Sequence, residues 1–404
     1  LKQLKLRAVF MRGGTSKAVM FRAADLPAER ELWAPIFLGV IGSPDPNGRQ
    51  LDGMGGGISS LSKICVIGPP TRADADVDYT FAQVSVRDAA VDYSGNCGNM
   101  SSAVGPFAVD EDLIVAVADA AGEATVHIHN TNTHKLIVAH FPLDDGRAAV
   151  DGDFRLPGVA GNGAPVLLDF MEPGGAGTGK LLPTGNPVDT LDADGVRGIE
   201  VSMVDAANPC VFVPAGALGA SGIEMPEELE ANGALLRRLD AIRIAASLKM
   251  GIAKTAEAAA RIPSIPKVAM VAPAREARTL AGERLAADDA DITVRMISIG
   301  QPHRAVPLTG AMCLAVASRI EGTVVSRMAR RTASPAEAVR IAQPSGLTVV
   351  GAEVRREGDR ERPEWFAERA TVYRTARRLM EGWVFVRASA LPEKFRSALA
   401  AGRK

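Results

Sequence analysis

Asp92-Tyr93-Ser94-Gly95-Asn96-Cys97-Gly98-Asn99 is a run of turn-forming residues that leads directly into helical spacing. Met100, Val104, Phe107 and Ala108 follow at i, i+4, i+7 and i+8, which is one face of a helix. Cys97 is therefore expected at the start of that helix. The second half repeats the arrangement: after His303, Thr309-Gly310 open another apolar helix over 311–318. A glycine-containing loop ahead of an apolar helix in each half suggests a duplicated α+β architecture.

Strand patterns surround both helices. Residues 5–21 read as two strands about the turn Arg12-Gly13-Gly14-Thr15-Ser16-Lys17, where glycines let the backbone approach a ligand closely. The glycines of 53–57 and Ser59-Ser60-Leu61-Ser62-Lys63 precede the apolar run 64–67. Val77, Tyr79 and Phe81 alternate as in a half-buried strand. Further strands are expected over 125–130 and 135–141, joined by a turn at 130–134. In the second half, strands are expected over 198–204, 209–213, 268–271 and 294–299. A helix is expected after Pro226, with Leu235, Leu236, Leu239 and Ile242 on one face. The segments 326–338 and 355–368 are rich in charge and read as solvated surface. Length favours two domains, placed at 1–186 and 187–404, with the Gly/Pro-rich stretch 173–186 as the joint.

Composition narrows the function. Of 404 residues 47% are hydrophobic but only 4% aromatic, and the net charge is −1, so no nucleic-acid or membrane partner is expected. The first residues lack the apolar stretch of a signal peptide and no apolar run reaches the ~18 residues of a membrane span, which makes the cytoplasm the expected location. Four widely spaced cysteines (Cys65, Cys97, Cys210, Cys313) form no CxxC pair.

Three constellations compete for the chemistry. Gly174-Gly175-Ala176-Gly177-Thr178-Gly179-Lys180 has the glycine and lysine spacing of a phosphate-binding loop. It is followed by Leu181 where Ser or Thr is needed, and by Pro183, which breaks the required helix. His127 and His129 share a strand face and could join His134 at a metal, but no acidic residue lies between them, and no metal is expected. Lys63 and Cys97 form the third. A cysteine that opens a helix has its thiolate stabilised by free amides, and a desolvated lysine beside a Gly/Ser-rich loop becomes a base. Such a pair suits removal and return of a proton next to a carboxylate.

At these residues the chain resembles the PrpF family. The resemblance rests on Met11-Arg12-Gly13-Gly14-Thr15-Ser16-Lys17, Gly42-Ser43-Pro44-Asp45-Pro46, Asp52-Gly53-Met54-Gly55-Gly56, Ser62-Lys63, Ser94-Gly95-Asn96-Cys97-Gly98-Asn99 and Leu182-Pro183-Thr184-Gly185-Asn186. It continues through Pro266-Lys267 and His303 to 374–386. The resemblance implies the diaminopimelate epimerase fold: two similar α+β domains, each a sheet wrapped around a central helix, with the site in the cleft between them. It implies a cofactor-independent isomerase of small unsaturated di- or tricarboxylic acids, of the aconitate or 2-methylaconitate type. The alternatives are an oxalomesaconate-type tautomerase or Δ-isomerase, and a metabolite-binding protein without turnover. Lys63 and Cys97 are the implied catalytic pair. Thr15, Ser16, Lys17, Ser62, Asn96, Gly98, Asn99, Thr309 and Gly310 are the implied carboxylate-binding residues, with Lys267 and His303 as further candidates. The partner is a small-molecule carboxylate, and a homodimer is left open as the assembly. Two departures stand out. Pro307-Leu308 occupy the place where epimerases carry a second cysteine, which disfavours a two-thiol racemase and leaves Cys313 as a packed residue. Ala18 replaces the glycine usual in relatives.

Overall fold

The computed structural model describes residues 3–298, 300–330, 338–358 and 364–393. The chain forms two compact units, residues 3–168 with 374–393 and residues 169–373. The division thus falls after Leu168 rather than Asn186, and the end of the chain returns to the first unit. Pairing accounts for that return: the strand Ala376–Arg387 runs antiparallel along β1 (Gln3–Gly13), from Gln3 opposite Arg387 to Gly13 opposite Ala376.

In the first unit β1 turns into β2 (Ser16–Arg22), and the helix α1 (Trp33–Ile41) follows. Next come β3 (Lys63–Gly68), β4 (Val77–Val84), the helix α2 (Gly98–Asp110), β5 (Glu123–Asn130) and β6 (Lys135–Asp144). The pairings in chain order are antiparallel, parallel, antiparallel, parallel and antiparallel. Each parallel step is bridged by a helix, as a crossover demands.

The strands wrap around α2, which touches β1, β2, β3, β5, β6 and the strand Ala376–Arg387. Met100, Val104, Phe107 and Ala108 are fully buried, and each large apolar side chain so buried contributes ~1.5–3 kcal/mol. Burial extends around the whole helix, beyond the single face that the spacing picked out. Small residues fill the remaining sides, and the buried Ser102 hydroxyl is satisfied by donating back to the Asn99 carbonyl at 2.7 Å. On the other face of the sheet α1 packs into a cluster with Phe21, Ile64, Val66, Val384 and Val386. β4 is buried along both faces rather than half-buried, because Asp78 pairs with His129 of β5 and Thr80 with Thr131.

The second unit repeats these steps. β7 (Val196–Ala206) and β8 (Asn208–Pro214) form a hairpin. The helices α3 (Pro226–Ala231) and α4 (Gly233–Lys249) follow. The single helix expected after Pro226 is therefore two, divided at Asn232, whose side chain accepts from the Leu235 amide and caps the second. Then come β9 (Lys267–Pro273), β10 (Ile292–Ser298), the helix α5 (Leu308–Arg319), the short α6 (Val324–Met328), β11 (Val339–Gln343) and β12 (Gly346–Glu357). The pairing order is the same: β8–β9 parallel, β9–β10 antiparallel, β10–β11 parallel, β11–β12 antiparallel. α5 is buried from Leu308 to Ala317 and takes the place of α2; α4 packs outside, as α1 does.

Of the two charge-rich segments, the first begins in α6, whose Val324 and Val325 are buried. The second spans the ends of β12 and β13 (Glu364–Arg374), which pair antiparallel down to Glu357 opposite Glu364. Residues 331–337 and 359–363 of these segments lie outside the described residues.

Candidate active site

Lys63 is the first residue of β3, where the parallel partner β2 presents Ala18 and the antiparallel partner β4 presents Gln83. It is 8% exposed. Its Nζ donates to Gln83 Oε1 at 2.6 Å and stands 4.9 Å from the centre of the Phe81 ring. Gln83 cannot turn away, since its own amide nitrogen donates to the carbonyls of Ser62 and Ser59 at 2.9 and 3.0 Å. Nothing local in the sequence marks Gln83; it is found only through the strand register.

Cys97 occupies the N-cap of α2 in extended conformation, and the first intrahelical bond runs from the Ser101 amide to its carbonyl. The amides of Gly98, Asn99 and Met100 precede that bond, so the helix start offers free donors and about half a positive charge. Cys97 is half-buried, whereas Cys65 is fully buried. Burial pushes the Cys65 thiol up, the Cys97 charge pushes it further, and the Lys63 charge opposes that. The two residues stand on neighbouring elements, since α2 packs against β3.

The turn between β1 and β2 adjoins this helix start: Asn99 Nδ2 donates to Thr15 Oγ1 at 3.1 Å. Ser16 is buried beside it. Asn96 shares a weak contact with Ser101 at 3.4 Å. Two expected residues do not join the group. Lys17 is out of step with Ala18 and Met20, so its side chain leaves on the opposite face of the sheet, where its Nζ lies 5.5 Å from the Phe10 ring. Ser62 is fully buried and its hydroxyl donates to Gln50 Oε1 at 2.7 Å, the same oxygen that accepts from the Gly57 amide. Ser62 therefore clasps the glycine-rich loop and presents nothing outward.

The other candidates form a separate group in the second unit. Lys267 opens β9 as Lys63 opens β3, each on the strand that runs parallel to its preceding hairpin. Its Nζ donates to the Ser264 carbonyl at 3.3 Å. A Cβ on Gly310 would lie 2.4 Å from Met296 Sδ and 3.9 Å from Lys267 Cδ, so the glycine lets these side chains approach the helix start. His303 has a buried Nε2 with no hydrogen-bond partner among the described residues. Burial, with the Lys267 charge behind it, lowers its pKa to about 4. Thr309 is buried in the first turn of α5. The N-cap that corresponds to Cys97 is Pro307. Cys313 is packed as expected: its Sγ donates to the Val204 carbonyl at 3.3 Å, and burial beside Cys210 pushes its thiol up.

The competing constellations resolve differently. The phosphate-loop look-alike already holds an anion of its own, since Asp205 Oδ2 accepts from the amides of Gly177 and Thr178 and from the Thr178 hydroxyl at 2.6–2.8 Å. The histidines do find carboxylates, but from the neighbouring strand: His129 contacts Asp78 at 2.8 Å and His127 contacts Asp76 at 3.3 Å. Among the described residues no group of three or more His, Cys, Asp or Glu side chains is arranged around a metal.

The family described as PrpF protein matches residues 3–387. The chain belongs to that family. It is 43% identical over 387 residues to the 3-methylitaconate isomerase of Eubacterium barkeri, covering 95% of this chain and 98% of that one. It is 41% identical over 392 residues to the 2-methyl-aconitate isomerase of Shewanella oneidensis, at 95% and 97% coverage. The crystal structure of a methylitaconate-delta-isomerase superposes with a TM-score of 0.82 at 41% identity, over 97% of this chain and 98% of that one. A hydroxyproline epimerase from Agrobacterium vitis shares the fold alone, at TM-score 0.51 and 12% identity over 95% and 93% of the chains. This PrpF protein is thus an isomerase with an epimerase-type α+β fold.

Proposed function

We propose that this PrpF protein isomerises a small unsaturated di- or tricarboxylic acid of the methylitaconate or 2-methylaconitate kind, by proton transfer through Lys63 and Cys97 and without a cofactor. The observation that carries the reading is a buried lysine at the head of β3 and a half-buried cysteine at the free-amide start of α2, the helix that packs against that strand. The Lys63 amine takes a proton from the carbon γ to a conjugated carboxylate. The electron pair of that C–H bond spreads through the double bond into the carboxylate, and helix-start amides stabilise the resulting dienolate as oxyanion donors do. The lysine ammonium or the Cys97 thiol then returns a proton. Return to the same carbon after bond rotation gives cis-trans isomerisation; return to the α carbon moves the double bond. Gln83 holds the lysine for this task, and Thr15, Asn99 and the Gly98 amide hold a carboxylate. Four free thiols suit a reducing cytoplasm as its location.

The test is proton NMR of purified protein in D₂O with 2-methylaconitate, methylitaconate, aconitate and oxalomesaconate. Deuterium entering the γ carbon together with isomer formation is the expected result. Turnover of oxalomesaconate alone would assign a tautomerase, and binding without exchange a non-catalytic protein.

A further inference from the structure

The turn that carries Thr15 is built on residues from the far end of the described chain. The Gly14 amide donates to the Thr375 carbonyl at 2.9 Å, and the Arg12 guanidinium donates to the carbonyls of Gly14 and Thr375 at 3.0 and 2.9 Å. Beside them Arg374 is buried, 8% exposed, and its Nε donates to Asn99 Oδ1 at 3.2 Å. The packing leaves no slack. A Cβ on Gly14, which has a φ of +51°, would lie 2.4 Å from Asn99 Oδ1 and 3.2 Å from Arg374 Cδ.

A guanidinium has donors and no acceptor, so the Asn99 oxygen must be the atom that faces Arg374. The amide is planar, and its NH₂ is therefore directed at Thr15 Oγ1. A hydroxyl that accepts there still has one proton to give, and among the described residues no acceptor is bonded to it. Burial lowers the Arg374 pKa to about 10, which leaves it charged at neutral pH and a permanent donor.

We propose that Arg374 is a positioning residue for this reaction: acting through Asn99, it fixes the Thr15 hydroxyl so that its proton points at a substrate carboxylate. The proposal rests on the reading that the Thr15 turn holds a carboxylate. It adds the device that aims the turn, supplied by a residue some 360 positions away in sequence.

The experiment uses steady-state kinetics and thermal midpoints for Arg374→Lys, Asn99→Asp, Thr15→Val and the double variant Asn99→Asp/Thr15→Val. Asn99→Asp keeps an oxygen for Arg374 to bond, removes the donor to Thr15, and adds a negative charge whose direct effect the double variant separates. Loss of one such hydrogen bond should raise KM about tenfold with kcat little changed. Thr15→Val should do the same, and the double variant no more than either alone. Arg374→Lys, which can still donate to Asn99, should retain part of the wild-type KM. Additive rises, to about a hundredfold, would mean that a carboxylate at 99 repels substrate directly and would overturn the proposal. So would an Arg374→Lys protein with a lowered midpoint and an unchanged KM. If no acid is turned over, the proposed activity fails separately. Binding of the unreactive tricarboxylate tricarballylate, measured by calorimetry across the same variants, must then show the same non-additive pattern.

Discussion

Lys63 and Gln83 face each other across adjacent antiparallel strands, and the lysine Nζ donates to the glutamine Oε1 at 2.6 Å. A glutamine orients the lysine without forming the ion pair that a carboxylate would form. Lys63→Ala should lower kcat by about 10²–10⁴-fold, the usual range for a general base, with circular dichroism unchanged. Gln83→Glu should retain the fold and move the rise of kcat to higher pH, because a carboxylate favours the ammonium form. Wild-type rates and an unshifted profile in these two proteins would remove Lys63 from the chemistry.

Cys97 is half-buried at a helix start, while Cys65, Cys210 and Cys313 are fully buried. Iodoacetamide should therefore modify the native protein once, at Cys97, and a bound carboxylate should slow that reaction. Cys97→Ser should cost less than Lys63→Ala if the lysine moves the proton both ways, and as much if the thiol returns it. Peptide mass spectrometry that finds Cys97 unmodified, together with unchanged kinetics in the serine variant, would make the residue structural.

His129 contacts Asp78 of β4 and His127 contacts Asp76 just ahead of that strand, each through its Nδ1. Activity should survive exhaustive dialysis against EDTA. A loss that zinc or another divalent ion restores would move the chemistry to His127, His129 and His134.

Gly310 and Lys180 separate two candidate anion sites. Gly310→Asp adds a negative side chain at the start of α5, opposing the helix charge, and displaces the flexible end of Met296. KM should rise at least tenfold if this helix start serves the substrate. Lys180→Ala should change little, because Asp205 already fills the loop it belongs to. The reverse ranking of KM values would make the Lys180 loop the anion site.

His303 makes stability depend on pH in a defined window. Its pKa is lowered from 6.5 to about 4 in the folded chain, so between those values the unfolded chain binds a proton that the folded chain does not. Stability is whole above pH 6.5, falls as pH drops toward 4, and the full difference is on the order of 3 kcal/mol. His303→Gln should flatten that part of the urea-midpoint profile. An equally steep fall in the variant would assign the acid sensitivity to other groups.

Much of the site was legible in the sequence because its signals are local. The Gly95–Asn99 turn and the apolar spacing behind it placed Cys97 at a helix start, and the Gly/Ser-rich approach to an apolar run placed Lys63 at the head of a strand. Two other candidates have side chains directed elsewhere by local structure. Lys17 lies in the right turn, but the two-residue period of β2 sends its side chain to the wrong face. Ser62 adjoins Lys63, but it points inward to Gln50.

The sequence by itself determined the two central helices, the strands nearest them and the duplication, since helix and strand periods, turn glycines and prolines act over a few residues. Tertiary structure alone decided which residues support the pair. Gln83 meets Lys63 through strand register, Asp76 and Asp78 meet the histidines across a parallel pairing, and Arg374 reaches Asn99 because the chain returns to the first unit. That return also moved the boundary from Asn186 to Leu168. Such contacts depend on hydrogen-bond register between segments far apart in the chain, and spacing within any one segment carries no trace of them.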